Sequence, residues 1–526
     1  MRVLLISPKF PPSFWSFPKT CELSGSKALI PSLGLLTVAA LLPAEWELKF
    51  VDLNARTLTE KDWRWADLVM LSGMIAQFEG LTDLIQEAGR RGKTSVIGGP
   101  AATAMPDKFL GAGCDYVVRG EGENTVPLFL EAFSEGKSGI IIENGEKPDM
   151  TASPVPRFDL LNLDDYDTVS IQTSRGCPFD CEFCDVVNLF GRTCRYKTAG
   201  QVIEELEALY RLGARGHVFI SDDNFIGNKA HALAVLQEIT RWMKRRPDVF
   251  WFMTQVSVNL GQDLEMIRLM TDANFVEVFV GIESPDEEVL ARNRKYQNIR
   301  NPLIESLDTI NKNGLSVLGS FIIGLDGERK GAGERICAFV EQANLPIVMV
   351  NLLQAAPHTR LWNRLKDEGR LFEDRFIAEN TLVGMFNYVP DRPESEILEE
   401  YCRVWEYLYE PSRFLARSYR YFRSMPPEQQ AEAAVDQPRH STDAPPPKRS
   451  FKAESQDAYA LLNIVWRHGI LASYRLQFWK GLIGLWKHNQ SRMKKYLVSC
   501  AIAMDMFDVR DVISKNLKKR ECGITH

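Results

Sequence analysis

Three cysteines at fixed spacing are the first residues of this chain that could do chemistry. The run Gly176-Cys177-Pro178-Phe179-Asp180-Cys181-Glu182-Phe183-Cys184 sets Cys177, Cys181 and Cys184 at C-x3-C-x2-C spacing. Three thiolates this close can hold three irons of a 4Fe–4S cube, since cysteine thiolate is the usual iron–sulfur ligand. The fourth iron then has no local ligand, and an open iron can chelate the amino and carboxylate groups of a small molecule. A cluster that only carries electrons is normally closed by a fourth Cys. The competing reading is a structural zinc site. Zinc knots, however, pair two C-x2-C halves, and Cys194 has no partner at that spacing. Cys21, Cys114, Cys337, Cys402, Cys500 and Cys522 are scattered and read as small buried hydrophobes.

Elements able to present such a loop recur on both sides of it. Over residues 1–140, strand candidates Val3–Ser7, Leu48–Asp52, Leu68–Ser72, Ser95–Gly98 and Tyr116–Arg119 alternate with helical stretches such as Leu33–Leu42, Gly80–Arg91 and Asn124–Phe133. That alternation predicts a doubly wound parallel sheet with helices on both faces. Ligands of such sheets sit beyond the carboxyl ends of the strands. The segments there are Pro8–Phe17, Ser72–Gln77, Gly98–Ala102 and Gly120–Glu123, rich in Gly, Ser and Pro. Residues 141–165, polar and carrying Pro148, Pro154 and Pro156, read as a linker.

Alternation resumes over 166–370. Strands are expected at Thr168–Thr173, His217–Ser221, Phe250–Val256, Val276–Gly281, Val317–Ile323 and Ile347–Leu353, with helices such as Gly200–Leu212, Ala230–Lys244, Leu264–Thr271 and Pro302–Asn313 between them. Six βα units suit a partial (β/α)6 barrel better than a complete eight-unit one. The cysteine run then lies on the loop at the carboxyl end of the first of these strands. Residues 371–424 read as a helical extension, 425–452 with Pro445-Pro446-Pro447 as a flexible linker, and 453–526 as a helical module. The expected fold class is α/β: a Rossmann-like sheet, a partial barrel and a helical C-terminal module.

The cysteine run and the strand ends after it resemble the radical SAM (S-adenosylmethionine) superfamily, whose hallmark is this spacing with an aromatic residue, here Phe183, before the last Cys. Further matches come in order: Ser221-Asp222-Asp223-Asn224-Phe225, Thr254-Gln255-Val256-Ser257, Gly281-Ile282-Glu283-Ser284, Gly319-Ser320-Phe321-Ile322-Ile323-Gly324 and Gln354-Ala355-Ala356-Pro357-His358-Thr359. The resemblance implies a cluster that donates one electron to bound SAM, cleavage of the C–S bond, and a 5′-deoxyadenosyl radical that abstracts hydrogen from an unactivated carbon. It also implies an electron donor such as flavodoxin or ferredoxin. By the same likeness Gln255 and Glu283 contact the ribose or methionine of SAM, and Ile323–Gly324 line its adenine. Asp222, Asp223 and Asn224 could face SAM or substrate, although acidic residues at a strand end can equally cap the next helix. The basic loop of Arg192, Arg195 and Tyr196 could cover SAM or lie in solvent.

The first block resembles the cobalamin-binding domain that often precedes this barrel. The likeness rests on Pro31-Ser32-Leu33-Gly34-Leu35-Leu36, Gly98-Gly99-Pro100-Ala101-Ala102 and Val118-Arg119-Gly120-Glu121-Gly122-Glu123. A generic flavodoxin-like sheet is the alternative, because fold alone does not fix a ligand. Ser72, Gly98, Gly99 and Glu121 are candidates for the cobalamin cradle. No His precedes His217, and the Asp-x-His-x-x-Gly pattern is missing. The expectation is cobalamin bound with its base displaced and no protein His on cobalt.

Methyl transfer to an unactivated carbon of a small, hydrophobic or lipid-like molecule is the reaction this likeness implies. The stretch Lys9-Phe10-Pro11-Pro12-Ser13-Phe14-Trp15-Ser16-Phe17 and the helical C-terminal module resemble a subgroup that includes hopanoid C-2 methylases. An oxidative cyclase of the same architecture shares every motif, and a sensing module without turnover is the reading from another class. A methylthiotransferase is disfavoured, because only Cys21 and Cys114 precede the run.

Composition sets the outer bounds. With 526 residues the chain can bury two or three cores. A net charge of -6 and a pI near 5.8 argue against nucleic acid as the main partner. No apolar run reaches the roughly 20 residues of a membrane span. The N-terminus lacks a signal-peptide cleavage site, so the cytoplasm is the expected compartment, where cysteines are thiols or metal ligands. From Ala458 to Met504 there is no Asp or Glu, while Arg467, Arg475, Lys480, Lys487, Arg492, Lys494 and Lys495 interleave with Trp466, Phe478, Trp479 and Trp486. Such a stretch either contacts an anionic membrane surface peripherally or packs on the barrel with a solvated basic face.

Overall fold

The computed structural model describes residues 1–246, 249–375, 382, 385–427 and 451–521, with the backbone alone for 451–455, 520 and 521. The expected linker at 425–452 falls mainly outside these residues. The first sheet has six parallel strands: β1 (Arg2–Ser7), β2 (Glu47–Asp52), β3 (Leu68–Ser72), β4 (Thr94–Gly98), β5 (Tyr116–Arg119) and β6 (Ile140–Glu143), ordered β2-β1-β3-β4-β5-β6. The order in which strands are added reverses between β1 and β3, which is where such a sheet opens its ligand crevice. Period-two alternation along each strand builds two cores. Leu4, Ile6, Val69, Leu71 and Val117 pack with Trp63, Leu81, Ile85 and Phe109 on one face. Val3, Leu5, Met70, Val96 and Val118 pack with Leu36 and Phe129 on the other, and that core runs on into the barrel.

One expectation needs correcting here. The stretch 141–165 is not linker from its start, because Ile140–Glu143 is the edge strand β6, paired with β5 from Tyr116↔Ile140 to Arg119↔Glu143.

The second sheet is the partial barrel: β7 (Thr168–Ile171), β10 (Gly216–Ile220), β11 (Phe250–Val256), β12 (Phe275–Glu283), β13 (Ser316–Ile323) and β14 (Val348–Leu352), all parallel and in sequence order. Between β7 and β10 a small antiparallel ribbon, β8 (Ser174–Arg175) with β9 (Arg195–Tyr196), frames the cysteine loop. On β11, Phe250, Phe252, Thr254 and Val256 are buried, whereas Trp251, Met253 and Gln255 are only partly covered and line the hollow side. The long helix Met493–Glu521 shares the barrel's apolar core through Tyr496, Cys500 and Met506, with Lys494 Nζ 5.7 Å from the Trp251 ring. Asp505 of that helix accepts from Lys19 N at 2.8 Å and Thr20 N at 3.0 Å, capping helix Pro18–Ser24. Among the described residues no helix is long and apolar enough to cross a membrane.

Candidate active site at the barrel mouth

The cysteine loop is fixed by its neighbours before any cofactor is considered. Asp222, just past β10, is fully buried and reaches across to the adjoining strand end. It accepts from Thr173 N at 2.7 Å, Ser174 N at 3.0 Å and Ser174 Oγ at 2.8 Å, and from Thr173 Oγ1. Burial still holds its carboxyl above the ordinary carboxylate range. Asp223 accepts from Gly176 N at 2.8 Å, and burial pushes its carboxyl up to about 7. Gly176 has φ +95, and a Cβ there would lie 3.0 Å from both Gly191 O and Thr193 O, so only glycine fits at the turn into Cys177.

Charges between the cysteines tie the loop down from outside. Asp180 pairs with Arg294 at 3.1 Å and Arg360 at 3.0 Å, and Glu182 accepts from Arg364 Nε at 2.7 Å and Nη2 at 3.1 Å. Arg364 also meets the buried Asp326 at 2.8 Å. The loop is therefore gripped from three directions, and Cys177, Cys181 and Cys184 stay half-buried with no disulfide.

Residues after β12 approach the thiols most closely. Gln297 Nε2 lies 3.4 Å from Cys181 Sγ. The Lys295 ammonium is 2.7 Å from Glu283 and 5.9 Å from the centre of the Phe183 ring. Burial would lower the lysine, but the charges of Glu283 and Cys181 outweigh it and raise its pKa. Glu283 has φ +65, uncommon for a residue with a side chain, at the point where the β12–β13 register shifts. Its carboxylate folds over Gly281, where a Cβ would sit 2.4 Å from Oε1. Gln255 is half-buried on β11 in register with Phe279. Gly324, φ +91, donates to Glu328 at 2.8 Å, accepts from Tyr388 at 2.9 Å and packs against Phe386.

Asp222 has its oxygens hydrogen-bonded to Thr173 and Ser174 and so ties the strand end that leads into the cysteine loop. Asn224 bridges to β11 by accepting from Ser257 N at 3.2 Å. Glu121 accepts from Arg175 at 2.8 Å and from Arg195 at 3.0 and 2.8 Å. Arg195 and Tyr196 form β9, and the Tyr196 ring lies 4.5 Å from that of His231. Ser72, Gly98 and Gly99 do lie together at the carboxyl edge of the first sheet. Ser72 pairs with Gly98, and at Gly99, φ +86, a Cβ would collide with Ser72 Oγ at 2.2 Å. Sequence reasoning missed Lys295, Gln297, Arg175 and Arg364; no motif marks them, and only the fold brings them to the loop.

The donor set suits iron–sulfur ligation. Burial and the neighbouring Cys181 thiol raise the pKa values of Cys177, to about 11, and Cys184. Such thiols lose their protons on binding metal. Among the described residues no three His, Cys, Asp or Glu side chains already close around a metal position, so the fit rests on donor chemistry and loop anchoring. At the first sheet, the glycine edge around Gly98–Gly99 allows close approach of a ligand to backbone. Nearby, a cavity of about 410 Å³ opens between the two sheets beside Ala104, Met105, Arg119, His358 and Trp362. His358 comes from the barrel side, and its Nε2 is 3.1 Å from Ala104 O.

Sequence families agree with this two-part site. The Radical SAM superfamily profile matches residues 171–340, the B12 binding domain 24–130, and a domain of unknown function, DUF4070, 359–519. Together they define a cobalamin-dependent radical SAM protein. An uncharacterized methyltransferase of Synechocystis sp. is 44% identical over 520 residues, 98% of this chain and 93% of that protein. The hopanoid C-2 methylase of Rhodopseudomonas palustris is 35% identical over 485 residues, covering 91% of this chain and 88% of its own. The solved structure of the cobalamin-dependent SAM radical enzyme OxsB with aqua-cobalamin shares the fold, with TM-score 0.59 and 16% identity over 99% of this chain and 81% of that one. The chain belongs to the cobalamin-dependent radical SAM methyltransferases. Its cofactors are a 4Fe–4S cluster, SAM and cobalamin, and its substrate is a small molecule.

Proposed function

We propose that this methyltransferase acts on an unactivated carbon of a hydrophobic, lipid-like substrate. The observation that carries the reading is Trp15, on the loop after β1, resting 5.5 Å from Phe279 on the hollow side of β12. Phe14 beside it is buried against Trp405 at 5.8 Å and fixes the loop. Trp15 remains partly exposed there, and Phe10 on the same loop is exposed as well. Apolar rings at the mouth favour a substrate without charge. The hopanoid C-2 methylase relative supports the same class.

Cys177, Cys181 and Cys184 are proposed to ligate the cluster. Lys295 holds Glu283 in place for SAM, and Gln255 and Gly324 border the same space. When bound, the cofactors supply reductive cleavage of SAM and methyl carriage. The chain's own residues anchor the loop and exclude water from the thiols. Arg192, Arg294 and Arg360 are exposed around the loop, a surface suited to an acidic one-electron donor such as flavodoxin or ferredoxin.

Competition with polycyclic lipids tests the substrate class. Trp15→Ala is expected to raise KM for an apolar substrate about tenfold while leaving SAM affinity unchanged. Equal loss with a polar substrate would contradict it.

A further inference from the structure

The two helical segments that follow the undescribed stretch show an outer face of unusual composition. Helix Phe451–Ile464 continues into a π-helical stretch, Val465–Leu471, and the chain turns back through helix Arg475–His488. Each segment buries one ridge: Ile464, His468 and Gly469 on the first, Phe478, Gly481 and Leu485 on the second. That inner side is well braced. Trp479 Nε1 donates to Gly469 O at 2.8 Å, His468 Nε2 lies 3.0 Å from Cys500 O, and a Cβ at Gly484 would meet Tyr419 at 2.6 Å.

The opposite ridge should be polar on a helix packed against a soluble core. It is apolar instead. Leu462 is 69% exposed, Trp466 53%, Leu471 63%, Leu476 80%, Ile483 47% and Trp486 56%. Exposed apolar residues are ordinary singly, but six large ones on consecutive helices make a patch that calls for a partner. Arg475, Lys480 and Lys487 are exposed among them, and no Asp or Glu occurs between 458 and 504. Elsewhere in the basic run, Arg492 is buried with Nε on Pro426 O at 2.8 Å, and the exposed Lys494 reaches to 5.7 Å from the Trp251 ring.

We propose that this outer face docks on an anionic lipid bilayer, its Trp and Leu side chains set among the headgroups and Arg475, Lys480 and Lys487 on the lipid phosphates. Indole rings beside cations suit the interface between headgroups and hydrocarbon. A second copy of the chain fits less well, because a two-fold contact would bring the same three cations onto themselves. The face is linked to the site. Gln456 Nε2 donates to Leu23 O at 2.8 Å in helix Pro18–Ser24, which follows directly from the loop carrying Trp15. The purpose of docking, delivery of a lipid-like substrate, rests on the function proposed above; the docking itself does not.

The test is sedimentation of the full-length holoenzyme with phosphatidylcholine vesicles made with and without phosphatidylglycerol. Binding is expected only with phosphatidylglycerol, weakened by salt and accompanied by a blue shift of tryptophan emission. The variant carrying Leu471→Ser, Leu476→Ser and Trp486→Ser, and separately Lys480→Glu with Lys487→Glu, should bind about tenfold more weakly. Both should keep the wild-type melting temperature and SAM cleavage. Absence of wild-type binding, variants that bind as wild type, or a wild-type dimer that the apolar variant dissociates would each overturn the proposal. Intact vesicle binding without methylation of any apolar substrate would strike the proposed function and leave docking standing.

Discussion

Arg175, two residues before Cys177, forms a two-bond fork with Glu123, in the first turn of helix Gly122–Ser134 of the cobalamin-binding domain, both Nη atoms lying 2.9 Å from its carboxylate oxygens. Both side chains are nearly fully buried. Glu121 joins them from the same loop, so the segment after β5 grips the residue that leads into the cluster loop. The two cofactor domains are thus joined at a charged hinge-point beside the chemistry rather than by apolar packing alone.

Breaking that grip should be costly, because the remaining charge stays buried without its partner. Arg175→Ala is expected to lose about 3 kcal/mol of stability in denaturant titration and to lose cluster iron faster. Arg175→Lys, unable to span Glu123 bidentately, should recover only part of it. Removal of the exposed Arg2–Asp67 pair serves as comparison and should change little.

Ligation is expected of three cysteines and no fourth. Alanine at Cys177, Cys181 or Cys184 should abolish the visible absorbance of the reconstituted cluster and the formation of 5′-deoxyadenosine. Alanine at Cys194 should preserve both, since its thiol meets Gly176 O at 3.3 Å and so is engaged within the loop. Iron content per chain checks the distinction.

Lys295 is a positioning residue. Lys295→Met leaves Glu283 buried and unpaired, and SAM affinity should fall about tenfold. Lys295→Arg should restore most of it. The electron paramagnetic resonance spectrum of the reduced cluster should then shift less on SAM addition in the Met variant than in wild type, a change that simple loss of stability would not produce.

Glu328 predicts a pH dependence. Burial pushes its carboxyl up to about 7 from the ordinary 4.5, despite the Gly324 N–H and Arg392. The folded state therefore holds this proton more tightly than the unfolded chain. Its contribution to stability should fall as pH rises from about 4.5 to about 7. Paired melting curves should show Glu328→Gln gaining on wild type across that window. Parallel curves would contradict the assignment.

The cobalt environment is the next expectation. The first sheet carries no His, and the barrel residue His358 has its Nε2 at Ala104 O. Cob(II)alamin-loaded protein should show no nitrogen splitting in its spectrum, and His358→Ala should leave the spectrum unchanged. Splitting that disappears in the variant would make His358 a cobalt ligand.

Much of this architecture is visible in the chain itself because its signals are local. The apolar runs of β1, β3, β11 and β13 read as strands from periodicity, and the cysteine spacing is a contiguous motif. β6 escaped because Ile140-Ile141-Ile142 is a short run that opens a polar, proline-bearing stretch. The hydrogen bonds of Asp222 and Glu121 have no local signal, because their partners, Thr173 and Arg175, stand far along the chain. Lys295 carries no local signature at all. It matters only because the turn after β12 returns it to the cysteine loop. Trp466 and Trp486 stand out in the sequence among the basic residues, but which way they face depends on the packing of Phe478 and Leu485.

Radical methyl transfer to an apolar carbon is the reaction on which every role proposed for this site depends. The measurement that tests it most directly is an anaerobic assay of the reconstituted enzyme with SAM bearing a deuterated methyl group, methylcobalamin, reductant and a polycyclic lipid, read by mass spectrometry. The expected outcome is 5′-deoxyadenosine together with S-adenosylhomocysteine, and a lipid product in which one methyl group has replaced a hydrogen, labelled after the first turnover. Sustained 5′-deoxyadenosine formation with a product that has lost hydrogen and gained no methyl group would contradict it.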